Sequence, residues 1–407
     1  MNGPATPYEA RRARLNIKLY YAYVFLGNVA FWISIHVVYF QARGLSFTEI
    51  MWLLFAQSAC QVLLEVPSGV LSDRFGRRRT LTISAALKVA FCVLCMLDAS
   101  VVVYLVGACL LGAHIAFESG TDAALIYESL GILDRQDDYT KVKGRGFSLR
   151  MAGNGIGAIG GGLLASVDYL LPWLVAGVCC LMALVVSLLL FEPRRVGGHQ
   201  DLSAREIVAF GLRSLRDSRR LTLLVLLSGT VISTLLVGLR YQQPYLAQAG
   251  IALEGFGPVY LLWLLVSAGT SMTLGRWGPK VDERLLMFGL PALLMVQYLL
   301  LSSFVGTVGI AIMVLGQVVV GIARPMFTTY INREVGDTAR ATVLSVNGFA
   351  QNLLLLVLAP VVGFISDEWT IAAAFAGLAV VVSVAGWSLA ALLSRVPAAS
   401  ATQPSRP

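Results

Sequence analysis

Twelve runs of about 20 apolar residues follow one another along the chain, each the length a helix needs to cross a bilayer. They cover residues 19–40, 48–72, 80–97, 101–127, 145–167 and 171–191 in the first half. In the second half they cover 221–246, 256–277, 285–304, 308–331, 340–366 and 371–393. Runs this long exclude a membrane barrel, whose strands are short and alternate. Of 407 residues, 57% are hydrophobic and 13% charged, against about 25% charged in a soluble domain. Such a chain cannot clothe the surface of a soluble enzyme, a disordered protein or a nucleic-acid-binding domain. The expected fold class is an all-α membrane protein with twelve transmembrane helices.

Charge placement sets the expected topology. Lys88, Arg150, Arg240 and Arg324 fall inside the runs. Of the other 27 Lys and Arg residues, 26 lie in the N-terminal arm, the alternate loops with the run ends that meet them, and the tail on one side, and only Arg43 lies on the other. By the positive-inside rule both termini are cytoplasmic, and the net charge of +8 marks orientation rather than nucleic-acid binding. The expected location is the plasma (inner) membrane. The first run is too long for a signal-peptide core, and no small-residue cleavage site follows it. All six cysteines fall inside the runs and read as small apolar packing residues, the Cys92-x-x-Cys95 pair included. No metal-ligand cluster, phosphate loop or nucleophile–base pair stands out. Neither an enzyme nor a cofactor is therefore expected, and with no Walker motif ATP is not the expected driving force.

Run starts in the two halves differ by near-constant offsets, from 195 to 208 residues, which suggests two six-helix repeats. A short match supports this: Arg145-Gly-Phe-Ser-Leu149 opens the fifth run and Arg340-Ala-Thr-Val-Leu344 the eleventh. The expected divisions are an N-terminal arm at 1–18, a six-helix bundle at 19–191, a linker at 192–220, a second bundle at 221–393 and a disordered tail at 394–407. In the linker, Ser203-x-x-Glu206 is a capping box, and Val208, Leu212 and Leu215 follow at helical spacing. That pattern predicts an amphipathic helix on the membrane surface.

The loop after the second run reads Gly69-x-Leu71-x-Asp73-Arg74-x-Gly76-Arg77-Arg78-x-x-Leu81. Gly69 can admit a close helix, Gly76 a tight turn, and Asp73 can face a helix N-terminus. The arginines can pair with Glu128 or Asp134 at the end of the fourth run. This segment resembles motif A of the major facilitator superfamily, in the loop where that family carries it, and with twelve runs in two halves the resemblance covers nearly the whole chain. It implies two pseudo-symmetric bundles around a central cavity, rocking about a central site, with motif A as a latch whose aspartate faces the eleventh span. The fifth run carries Gly153, Gly157, Gly161 and Gly162, similar to motif C of the family's antiporter branch, with Ala158 where proline is usual. The fourth run lacks the arginine that the family's exporters usually carry there, so their proton-handling arrangement does not transfer.

Charges within the bilayer cost roughly 2.5–3.5 kcal/mol each on insertion scales, so they face water or one another. Glu65, Lys88, Glu118, Asp122, Arg150 and Arg324 fall about 8–14 Å from the arginine-rich edge at 1.5 Å per residue. Glu118 and Asp122 are four apart and would share a helix face, where two carboxylates favour holding a proton. Glu65, Glu118 and Asp122 are the proton-coupling candidates. The alternative is static ion pairing, such as Asp122 with Arg150 or Arg324. Asn28, Trp32, Arg150, Arg240, Tyr241, Arg324, Asn347, Gln351 and Asn352 are the candidates to line the substrate cavity. The expected function is a monomeric proton-coupled antiporter in the lipid bilayer, exporting a small amphiphilic drug or metabolite. A proton symporter or uniporter importing a nutrient is the alternative, and a non-transporting receptor the remote one.

Overall fold

The computed structural model describes residues 6–97, 100–194, 213, 215–278, 281–304, 306–335 and 340–397. The expected linker helix, with Ser203, Glu206, Val208 and Leu212, and residues 398–407 of the tail lie outside these. Every regular element among the described residues is helical. By length and composition ten helices can cross a membrane, or eleven with the bent first pair taken as one span. The remaining one, Tyr139–Val167, is 29 residues long, and its eight glycines and four Lys or Arg dilute its hydropathy. The protein is thus a helical membrane protein with twelve spans.

The first helix starts well before the apolar run. Thr6 caps it, Pro7 opens it, and Glu9 closes a capping box: Thr6 Oγ1 accepts from the Glu9 amide at 3.3 Å, and the Thr6 amide donates to the Glu9 carboxylate at 2.9 Å. These bonds hold the Glu9 carboxyl below its usual range. The helix runs Pro7–Gly27 and then breaks. A short 3-10 turn, Phe31–Ser34, leads into His36–Ala42, bent by 50°. The fourth run is also interrupted: Val101–Glu118 ends, Gly120 takes φ 75°, and Thr121–Ile132 begins. The breaks fall at short polar or glycine-bearing stretches, Gly27-Asn28 in the first run and Glu118-Ser-Gly-Thr-Asp122 in the fourth.

The chain divides into two compact units. The first comprises Met1–Leu45, Trp52–Asp201 and Ile251–Leu261, and the second comprises Ser46–Met51, Leu202–Gly250 and Leu262–Pro407. In the first, span 1 packs on spans 4, 5 and 6, and span 3 packs on spans 4 and 6. In the second, span 7 packs on spans 10, 11 and 12, and span 9 packs on spans 10 and 12. The pairing scheme is the same in both.

One buried polar device repeats with it. In the first unit Asn16 Nδ2 donates to Ser129 Oγ at 3.0 Å and to the Phe191 carbonyl at 2.8 Å. In the second, Arg220 donates to Glu334 at 2.7 Å, to the Val396 carbonyl at 2.7 Å and to Glu283. Asn16 and Arg220, Ser129 and Glu334, and Phe191 and Val396 are separated by 204 or 205 residues. In each unit a side chain entering the first helix ties down the end of the fourth and the exit of the sixth. Arg220→Gln leaves Glu334, with a 7% exposed side chain, without its cation. A cost of about 3 kcal/mol in stability is expected, read as a lowered thermal midpoint of the purified protein, with Glu334→Gln costing less.

Candidate functional site

The motif A segment folds as a capped turn. Gly76 takes φ 99°, a left-handed conformation, and joins the second-span helix Phe47–Phe75 to the third-span helix Arg77–Met96. The Glu192 carboxylate sits at that helix N-terminus and accepts the Arg77 and Arg78 amides at 2.6 and 2.8 Å. A Cβ on residue 76 would lie 2.7 Å from the same carboxylate. The Arg77 guanidinium reaches Asp73 at 2.6 Å, Ser72 Oγ at 2.9 Å and Glu128 at 3.2 Å. Arg78 donates to the Leu188 carbonyl at 2.6 Å, and Arg74 is exposed beside the Phe75 ring. Of the two acids expected here, Glu128 meets an arginine, whereas Asp134 occupies a left-handed turn at φ 52°. Gly69 corrects the sequence reading. Among the described residues nothing lies within 4 Å of where its Cβ would stand, so close packing does not explain it.

From Arg77 a polar chain runs into the first unit. Ser72 Oγ accepts from Thr121 Oγ1 at 3.2 Å, next to Asp122. Asp122 is 7% exposed and accepts from Lys143 at 2.7 Å. Arg150 Nη2 lies 2.5 Å from Glu118 Oε1 and 4.0 Å from Asp122. The break at Gly120 means that Glu118 and Asp122 do not sit on one continuous helix face, contrary to the sequence expectation. Arg150 of the fifth span brings them together instead. Each carboxylate has a cation, so mutual repulsion is not what sets their chemistry. Glu118 Oε2 lies 3.3 Å from His114 Nε2, and His114 Nδ1 lies 3.0 Å from the Ser84 carbonyl and 2.8 Å from Ser84 Oγ.

Lys88 extends the cluster. It is 8% exposed and donates to the Gly27 carbonyl at 2.6 Å, where the first helix breaks and its dipole leaves negative charge. A small cavity with room for about one water adjoins it, lined in part by Tyr23, Asn28, Lys88, His114, Glu118 and Cys180. His114 does not stand out in the sequence alone. Its spacing of four from Glu118 was the available signal. Glu65, by contrast, is exposed and stands outside this cluster.

The cavity candidates separate. Asn28 lines the small cavity and donates to the Val24 carbonyl at 2.8 Å. Trp32 stacks on Trp173 with ring centres 5.7 Å apart, inside an aromatic cluster with Phe91. Tyr241 is fully buried, donating to the Val362 carbonyl at 3.1 Å and accepting from Ser366 at 2.7 Å. Trp32 is half-buried in that cluster, and Tyr241 is held by packing and hydrogen bonds. Gln351 donates to Ser228 Oγ at 2.9 Å, and Asn352 to the Gly348 carbonyl at 3.1 Å. Asn347 is 7% exposed. Arg240 ends the helix Arg219–Arg240, where a cation suits the dipole. Arg324 is exposed.

The fifth-span glycines make close approaches. A Cβ on Gly153 or Gly157 would meet the span 1 backbone at Phe25 and Ala30 at 2.9 and 2.7 Å. One on Gly161 would collide with the Phe31 carbonyl, and one on Gly162 with the Leu253 carbonyl at the start of span 8.

Helix pairing, repeat and motif A turn together describe a two-fold-repeated membrane transporter. The sequence matches the Major Facilitator Superfamily over residues 19–360, and the chain belongs to that family. It is 22% identical over 379 residues to the uncharacterized MFS-type transporter YxaM of Bacillus subtilis (strain 168), covering 89% of this chain and 92% of that one. Its fold is similar to the crystal structure of the nucleoside transporter NupG, with a TM-score of 0.74 at 12% identity, covering 95% and 100% of the two chains. It is also similar to the E. coli fucose:proton symporter FucP, with a TM-score of 0.56 at 15% identity, covering 95% and 100%. The protein is a transporter and not an enzyme.

Two outcomes follow from the packing. Gly157→Val forces a side chain into the Ala30 backbone, so folded protein recovered from membranes should fall sharply, while Gly144→Val, which meets nothing within 4 Å among the described residues, should leave it near wild type. A double-mutant cycle on Arg77 and Glu128, read by thermal unfolding, should give a coupling of about 1–3 kcal/mol.

Proposed function

We propose that the protein is a proton-coupled antiporter that exports a small amphiphilic drug or metabolite by alternating access, with Glu118 as the proton-binding carboxylate. One observation carries this reading. Glu118 is a membrane-embedded acid beside a small cavity, held by Arg150 and His114, two groups whose hold changes if the carboxylate gains or loses a proton. Acids within membrane spans are costly and mark proton relays or substrate paths. Asp122 serves as the inner partner of Arg150 and Lys143. Glu65, unpaired with this cluster, is set aside as a carrier.

Outward direction is supported by the glycine face of the fifth span. The motif C-like residues Gly153, Gly157, Gly161 and Gly162 seat it against spans 1 and 8. Arg77 with Asp73 and Glu128, and Glu192 with the amides of Arg77 and Arg78, serve as the motif A latch. The 26-to-one distribution of Lys and Arg supports cytoplasmic termini in a plasma membrane protein. Asn28, Asn347, Gln351, Asn352, Arg240 and Arg324 remain as the residues proposed for the substrate path, in a protein that works as a monomer. Proton symport of a nutrient is the second reading, favoured by the likeness to the FucP fold.

Inside-out vesicles energised to an acidic interior test this reading. Adding cationic, neutral and anionic amphiphiles in turn should release protons with at least one compound. Glu118→Gln should cut that release by tenfold or more, and Asp122→Asn by less. Substrate-driven proton movement in the opposite sense would establish symport, and no proton movement with any transported compound would overturn proton coupling.

A further inference from the structure

We propose that His114 and Glu118 hold one proton between them, between His114 Nε2 and Glu118 Oε2, and that this pair, not the carboxylate alone, is the unit that titrates. The consequence for transport rests on the proton-coupled reading above, whereas the pairing itself does not.

The argument is one of donors and acceptors. His114 Nδ1 lies 3.0 Å from the Ser84 carbonyl oxygen, which can only accept. Nδ1 therefore carries a hydrogen. Ser84 Oγ, 2.8 Å away, fits the same assignment, because its own hydrogen has an acceptor in the His114 carbonyl at 3.0 Å. A neutral ring with hydrogen on Nδ1 has only a lone pair on Nε2. Nε2 lies 3.3 Å from Glu118 Oε2, an ion-pair contact just beyond an ordinary hydrogen bond. Both groups are buried, His114 at 5% and Glu118 at 8% exposed. Two buried lone pairs facing each other would leave both unsatisfied, which is costly in a buried site. One proton between them removes that cost, whichever atom formally holds it. Losing the proton sets lone pair against lone pair and pushes the side chains apart.

The charged and titratable groups around the pair come from spans 1, 3, 4, 5 and 6. Tyr23 approaches from span 1, Lys88 from span 3, Asp122 beyond the break in span 4, Arg150 from span 5 and Cys180 from span 6. Arg150 bonds Glu118 through Oε1, which leaves Oε2 for the imidazole. Lys88 is turned to the Gly27 carbonyl. The cavity lined by Tyr23, Lys88, His114, Glu118 and Cys180 gives water a place beside the pair. Ser84 acts as the positioning residue that fixes the ring.

The test uses full-length protein in lipid nanodiscs, labelled with 15N-histidine, in a His36→Asn/His199→Gln variant in which His114 is the remaining histidine. Its ring resonances should show Nδ1 protonated throughout the pH range. The Nε2 resonance should change in one step, at the same pH midpoint as the loss of a carboxylic-acid infrared band that Glu118→Gln removes. A ring protonated on Nε2 with Nδ1 bare would overturn the proposal, and so would an Nε2 that stays constant while the Glu118 band titrates. A second arm reads transport: Ser84→Ala and His114→Gln should each move the pH midpoint of substrate-driven proton release by about one unit. An unmoved midpoint in both would overturn the proposal. Absence of any proton movement in the wild type is the failure of proton coupling instead, and the nanodisc spectra still decide the pairing.

Discussion

A carboxylate inside a bilayer has to be paired, and the pairing of Glu118 anchors a polar chain through spans 2 to 5. Its two oxygens take different partners: the Arg150 guanidinium of span 5 at 2.5 Å and the His114 imidazole one turn earlier at 3.3 Å. Arg150 reaches on to Asp122, Asp122 to Lys143, and Thr121 to Ser72 and the arginine of motif A. The cost of burying these charges is met only if each finds a partner of opposite sign with good geometry. Spans 2, 3, 4 and 5 are therefore positioned by polar contacts as much as by packing. Without a hydrophobic force between helices in lipid, such contacts and small-residue approaches are what fix helix positions.

The interruptions of spans 1 and 4 belong to the same scheme. An unwound segment in lipid exposes backbone groups that need partners, so breaks are tolerated where the protein supplies them. Lys88 supplies one at the Gly27 carbonyl, where span 1 breaks. The break at Gly120 lets one helical run present Glu118 and Asp122 in different directions, with a single arginine bridging them. The Asn16 and Arg220 clamps show a related economy. The same position in each repeat ties three chain ends, with a neutral amide in one unit and a guanidinium between two glutamates in the other.

Much of this was legible before any coordinates. The apolar runs, the segregation of arginines and the motif A residues carry helix count, repeat and family, because run length and charge placement are one-dimensional signals. Asn16 and Arg220 were passed over, because a lone residue at the start of a run carries no pattern until the 204-residue spacing is matched to contacts. His114 had a readable spacing to Glu118 but no visible partner for its second nitrogen. Ser84, 30 residues away in sequence, settles that. The surroundings of Trp32 and Tyr241 came only from the structure, because polarity in a span does not say which way a side chain points.

The sequence by itself therefore determined that the chain is a helical membrane protein, since hydrophobic run length and charge segregation answer directly to the bilayer, and the motif A residues carried its resemblance to a transporter family. Only the tertiary structure decided which acids are paired, where the helices break and which histidine nitrogen meets Glu118. Those outcomes depend on angstrom-scale approaches between spans distant in the chain. In a medium of low dielectric such approaches decide whether a polar group is satisfied.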